Sequence, residues 1–193
     1  MNKVQKIEEQ NLSMMCVNGV DLDTLMGTVK AIQADPELGI SKFRASNTWM
    51  GANHNRSMVT GFYAAKQEIA HVQTFTMDAD EPAILAGGDQ APNPVEHLLH
   101  ALASCLTTSM VAHAAVQGIE IEELESELEG DIDLNGFLGL DPEMPKGFTE
   151  IRATFRVKAD PKDMDRIKRL AMFSPVFNTI TQSARVDVDV VMK

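Results

Sequence analysis

Apolar positions along the chain fall into stretches of different period, and each period predicts a different element. Val20, Leu22, Leu25, Met26, Val29 and Ile32 recur at roughly helical spacing until Asp35-Pro36 stops the pattern, which predicts a one-helix arm at the start of the chain. From Asn47 to Ala86 the signal becomes that of strands. The turn-prone GANHNRS divides Trp49 from a run around SMVTGFYA, and HVQTFTM and PAILA follow, so three or four antiparallel strands are expected.

A long helix follows GGDQAPNP. Asn93 is its expected N-cap, Pro94 takes the first helical position, and Glu96 stands three residues after the cap to complete a capping box. No glycine or proline interrupts it before Gly118, so it can run for about 24 residues, or about 36 Å. Apolar residues occupy nearly every face, so this helix must be buried centrally or in a subunit interface.

In IEIEELESELEGDIDLNG the composition suits a helix, yet Leu124, Ser126, Leu128, Gly130, Ile132 and Leu134 alternate with charged or polar residues at a period of two. The segment is therefore expected as a strand. TEIRATFRVKA alternates again through Ile151, Ala153, Phe155 and Val157, which predicts an antiparallel hairpin with GFLGLDPEMPKG as its long connection. Asp160-Pro161 caps a helix to about Phe173, Ser174-Pro175 starts another, and RVDVDVVM closes as a strand. The order is that of an α+β fold, with a helical arm over residues 1–46 and one main domain over 47–193.

Composition narrows the partners. An apolar fraction of 44% and a charged fraction of 23%, without low-complexity runs, fit a globular chain. With 17 Lys and Arg against 28 Asp and Glu, the formal charge of −11 repels phosphate backbones, so nucleic acid is not an expected partner. MNKVQKIEEQ lacks the apolar core of an export signal, and Glu96, His97, His100 and His113 interrupt the most apolar run. No membrane association and a cytoplasmic location are the expectation. The two cysteines, Cys16 and Cys105, are too few and too far apart for a disulfide framework.

Cys105 raises the chemical question. It lies about three turns inside the long helix, beyond the reach of the helix N-terminus, so ionising the thiol needs a cation from elsewhere. Residue pattern alone leaves two readings open, a small buried hydrophobe and a nucleophile.

GGDQAPNPVEHLLHALASCLTT resembles the central-helix signature of the OsmC/Ohr family, the osmotically inducible and organic hydroperoxide resistance proteins. The order of elements over residues 47–192 and the SPVFNTI segment agree with that family. The resemblance implies an OsmC-like fold, antiparallel sheets around a long central helix, in an intertwined homodimer whose active sites lie at the subunit interface. It also implies a thiol peroxidase in which Cys105 attacks an organic hydroperoxide and becomes a sulfenic acid, with an arginine and a glutamate holding the thiolate ready. No bound cofactor is implied.

Two positions depart from that pattern. Ser174 stands where the family has its second, resolving cysteine, and serine cannot resolve a sulfenic acid, so an external thiol reductant is expected as a partner. Val95 stands where the family's glutamate follows Asn-Pro, and Glu96 serves the cap instead. Arg56 resembles the family's basic residue on the early strands, and Glu68 is the candidate for the missing carboxylate. For each, a solvated surface residue is the competing reading.

Cys16 is expected as a free thiol. His97 and His100 share a helical face, but His97 and Cys105 are about 12 Å apart along the axis, too far for one ion, so no metal site is expected within one subunit. The expected function is reduction of organic hydroperoxides through Cys105. The alternative is a noncatalytic OsmC-like protein that binds a small apolar molecule with Cys105 in its lining.

Overall fold

The computed structural model describes residues 15–193; the first fourteen residues of the expected arm lie outside them. The chain forms two compact units that divide after Leu98.

The first unit opens with a hairpin of β1 (Cys16–Val17) and β2 (Val20–Asp21), closed by Asn18-Gly19 at φ 54° and 76°, the left-handed pair that a two-residue turn requires. Helix α1 (Leu22–Ala34) starts on Asp21, whose carboxylate accepts from the Thr24 N–H, and ends at Asp35-Pro36 as its periodicity predicts. An antiparallel sheet follows, made of β3 (Lys42–Phe43), β4 (Ser46–Gly51), β5 (His54–Ala64) and β6 (Gln67–Ala79), with β5 paired to the other three. β3 joins this sheet from within the residues read as arm, because two residues are too few to give a period.

Ala65 and Lys66 both adopt positive φ in the β5–β6 turn. The Lys66 ammonium meets Asp35 at 2.6 Å and Glu37 at 3.0 Å, which ties the turn to the end of the arm helix. The sheet's two faces differ. Register places Trp49, Phe75 and Met77 on one face, and Arg56, Thr76 and Asp78 on the other.

PAILA, expected as a strand, is a 3₁₀ turn over Ala83–Leu85. Pro82 lacks an N–H for a ladder, and the preceding Asp80 draws the loop back on itself. Its buried carboxylate accepts from the N–H groups of Glu81 at 2.8 Å, Gly88 at 3.0 Å and Gln90 at 3.2 Å. Residue 87 must be glycine, since a Cβ there would lie 1.7 Å from the Glu81 carbonyl oxygen.

Helix α2 (Pro94–Val116) has the predicted capping box: the Glu96 N–H donates to Asn93 Oδ1 at 2.9 Å and the Asn93 N–H to Glu96 Oε2 at 2.8 Å. It ends at Gly118, φ 65°, where the Ile119 N–H reaches back to the Ala114 carbonyl. By length and composition this helix could cross a membrane, a test that the core helix of a globular domain also passes.

In the second unit Leu102, Leu106, Met110 and Ala114, four residues apart, form the buried stripe of α2. They pack with Ile119 and with Ile167 and Leu170 of α4 (Met164–Leu170). β7 (Ile121–Ile132) and β8 (Phe148–Ala159) pair as expected. Leu124, Leu128, Ile151 and Phe155 face the core, while Glu127–Arg156 and Glu129–Arg152 pairs occupy the solvent face. The connection contains a short helix, α3 (Leu134–Phe137), capped by Asp133. α5 (Pro175–Thr181) is the last regular element. The strand expected over RVDVDVVM does not form: the segment has no paired neighbour among the described residues, and Val186, Val188 and Val190 are 79%, 80% and 93% exposed.

Candidate functional site

Cys105 precedes Leu106 by one residue, about 100° around α2, so it borders the buried stripe without joining it. The thiol is free and half-buried. An apolar cavity of about 630 Å³ opens in the same unit, with Leu102, Leu106 and Met110 of α2, Phe155 of β8, Ile167 of α4 and Phe177 of α5 among its walls. That volume suits a small organic molecule. Cys105 itself is not part of the cavity wall.

Ser174 is fully buried and acts as the N-cap of α5. Its Oγ accepts from the Phe177 N–H at 3.2 Å, and its carbonyl takes the Asn178 side-chain amide at 2.8 Å. Serine at this place therefore has a structural occupation of its own. Ser174→Ala is expected to cost about 1 kcal/mol through loss of the cap, read as a lower denaturation midpoint with an unchanged m-value.

The two other predicted residues are not brought together. Arg56 stands opposite Asp78, and its Nε and Nη2 donate to the two carboxylate oxygens at 2.6 and 2.8 Å. Glu68 stands opposite Tyr63 and is held by Arg44 through bonds of 2.7 and 2.9 Å. Seven positions along β5 separate residues 56 and 63, on the order of 20 Å of strand. The carboxylate beside Arg56 is thus Asp78, a partner fixed by cross-strand register.

The Arg56 guanidinium holds the Asp78 carboxyl down at about 2, and His54, 3.6 Å from Oδ2, adds to the effect. Because this folded-state value lies below the ordinary 3.8, the pair's contribution is complete above about pH 4 and fades as the pH falls toward 2. An NMR titration of the Asp78 carboxyl carbon is expected to find its midpoint near 2, and to find it closer to 4 in Arg56→Ala.

The histidines of α2 serve separate ends. His97 Nε2 lies 2.9 Å from the Asp78 carbonyl oxygen, and His113 stacks on Phe173 with ring centroids 4.3 Å apart. Among the described residues, no three His, Cys, Asp or Glu side chains converge as a metal-ion site. Cys16 is exposed on β1.

The family profile described as OsmC-like protein matches residues 87–189, more than half of the chain. The chain belongs to the OsmC-like family. Solved structures agree with this OsmC-like assignment. The chain is 18% identical to an osmotic stress induced and detoxification response protein from Psychrobacter arcticus 273-4, over 70% of this chain and 85% of that one, with a TM-score of 0.53. It is 17% identical to an OsmC-like protein from Mycoplasma pneumoniae, over 74% and 89% of the two chains, also with a TM-score of 0.53. At these identities the likeness is one of fold. No curated protein matches the sequence. The OsmC-like match includes Cys105 and Ser174 and begins after the β5–β6 hairpin, so Arg56, Glu68 and Asp78 lie outside it.

Two residues escaped the sequence reading. Asp78 and Asp80, two apart in DADEP, gave only the signal of acidic residues before a proline. What they do depends on the strand opposite and on the loop that follows.

Proposed function

We propose that this OsmC-like protein reduces organic hydroperoxides through Cys105, as a cytoplasmic homodimer that draws on an external thiol. The supporting observation is a free, half-buried thiol at the family's position, one residue from Leu106 and three from Leu102, which both line the apolar cavity. An organic hydroperoxide has the mixed character such a site suits, an apolar body with one reactive polar end.

In this reading the Cys105 thiolate attacks the terminal peroxide oxygen. An S–O bond forms as the O–O bond breaks, the sulfur loses two electrons to become a sulfenic acid, and the leaving alkoxide takes up a proton as the alcohol. One external thiol then displaces water to give a mixed disulfide. A second releases Cys105 and leaves as the disulfide of the two. Ser174, occupied as a cap, takes no part. Arg56 is already neutralised by Asp78 and Glu68 by Arg44, so Cys105 alone of the three predicted residues carries the proposal.

The homodimer has support of its own. Trp49 and Phe43 are 73% and 78% exposed on the first unit's sheet, and in the second unit the terminal valines alternate along a segment with no strand partner among the described residues. A second copy covering either group would remove exposed apolar surface from water.

Whole-protein mass spectrometry after brief exposure to tert-butyl hydroperoxide with a sulfenic-acid trap tests the chemistry. One trapped adduct, mapped to Cys105, is the expected result. If no adduct forms, the noncatalytic reading takes over, and it too has an observation behind it, the apolar cavity, although Cys105 is not in its lining as that reading expected.

A further inference from the structure

The apolar cavity of the second unit has two charged residues in its wall. Asp165 and Lys168 both belong to α4, three positions apart, and both are exposed, so they stand at the cavity's mouth, while Leu106, Met110 and Ile167 are buried behind them. Residues at that spacing rise from one side of a helix, with Cβ atoms about 5–6 Å apart.

Opposite charges at this spacing commonly pair. Here neither residue has an ion pair or hydrogen bond among the described residues. The charged groups around them are engaged: Lys162 with Asp160 and Arg166 with Asp163 beside them, Arg156 with Glu127 and Lys158 with Glu122 and Glu123 on β8. Arg169, the other unengaged charge of α4, is not in the cavity wall. The mouth thus offers one cation and one anion side by side, over an apolar cavity of about 630 Å³.

We propose that this cavity binds an apolar α-amino acid, whose carboxylate meets Lys168, whose ammonium meets Asp165 and whose side chain enters the cavity. The two charged groups of such a ligand leave one carbon, so a cation and an anion one helical turn apart can hold both at once. The side chain then has an apolar wall to be buried against, and an aromatic one covers about 150–250 Å². A purely apolar ligand would leave both charges unused. A simple carboxylic acid would bring its anion up to Asp165 with no cation of its own to offset the repulsion. Cys105 is not in the wall, so binding here neither needs nor tests the thiol chemistry.

Isothermal titration calorimetry of the full chain with L-tryptophan, L-alanine, tryptamine and indole-3-propionate, with no peroxide present, tests this. L-tryptophan is expected to bind on the order of tenfold or more tighter than L-alanine, because the side chain is the group that is buried. Tryptamine lacks the carboxylate and indole-3-propionate the ammonium, and each is expected to bind on the order of three- to tenfold more weakly than L-tryptophan. Lys168→Gln should weaken L-tryptophan and indole-3-propionate by a similar factor and leave tryptamine as it was. Asp165→Asn should weaken L-tryptophan and tryptamine and spare indole-3-propionate. Both side chains are exposed, and melting curves that match the native one establish that the variants are folded. If L-tryptophan does not bind, binds no tighter than L-alanine, or binds either folded variant as it binds the native protein, the site is wrong. The reaction of Cys105 with a hydroperoxide is untouched by that result, so the two proposals fail separately.

Discussion

Replacing Cys105 with serine is expected to abolish hydroperoxide consumption, with a fall on the order of a thousandfold or more in the second-order rate constant. A hydroxyl at this position stays protonated, and no neighbouring base in the described structure is assigned to activate it. The substitution is nearly isosteric and lies at the edge of the buried stripe, so the melting temperature should hardly move. Loss of activity without loss of stability is the signature that separates a nucleophile from a packing residue. The native rate should also depend on the concentration of added thiol once Cys105 has been oxidised, because Ser174 cannot close an internal disulfide. If Cys105→Ser consumes peroxide at the native rate, the peroxidase reading fails. The cavity lined by Leu102, Leu106 and Met110 then becomes the place to look for a bound apolar ligand.

Asp80→Ala is expected to be the most destabilising single change in the first unit. Three backbone N–H groups converge on this one carboxylate, and the Glu81 N–H is the strongest of the influences that keep it ionised below its ordinary range. Alanine removes the acceptor and leaves the donors of Glu81, Gly88 and Gln90 without it in a loop too tight to rearrange, since Gly87 already touches the Glu81 carbonyl. A fall in melting temperature of about 5–10 °C is expected. Asp80→Asn keeps an acceptor oxygen and should recover part of it. A melting curve for Asp80→Ala that matches the native one would mean that the loop holds its shape without the carboxylate. The sign of the pH effect follows from the same geometry. This contribution is present above the ordinary carboxylate value and fades as acid protonates the folded-state group below it.

Much of the fold was legible because it follows from local periods and caps. The Asn93–Glu96 box and Gly118 bounded α2, and strict alternation identified β7 and β8 against a helix-like composition. Family membership was legible in the segment running from the glycine loop through Cys105. The failures have a common physical origin. PAILA has strand composition, but the Asp80 side chain competes for the backbone before it and Pro82 cannot join a ladder. RVDVDVVM has the right alternation, but a strand needs a second strand to pair with, and none of the described residues pairs with it. Glu68 has the right chemistry, but Arg44 engages it, and register gave Arg56 to Asp78.

The sequence by itself determined the α+β class, the bounds of the long helix, the position of Cys105 on it and the absence of a second cysteine at Ser174. Each of these depends on residues near one another in the chain. Only the tertiary structure decided that the Ser174 cap is fully buried, that Asp78 neutralises Arg56, that Asp80 gathers the N–H groups of the loop before α2, and that His71 enters a row of aromatic rings. The meetings of Arg56 with Asp78 and of His71 with Phe62 join distant segments. Their partners are set by strand register and by a bulge of residues 71–74 against Thr60, where a shift of one position would change every pair.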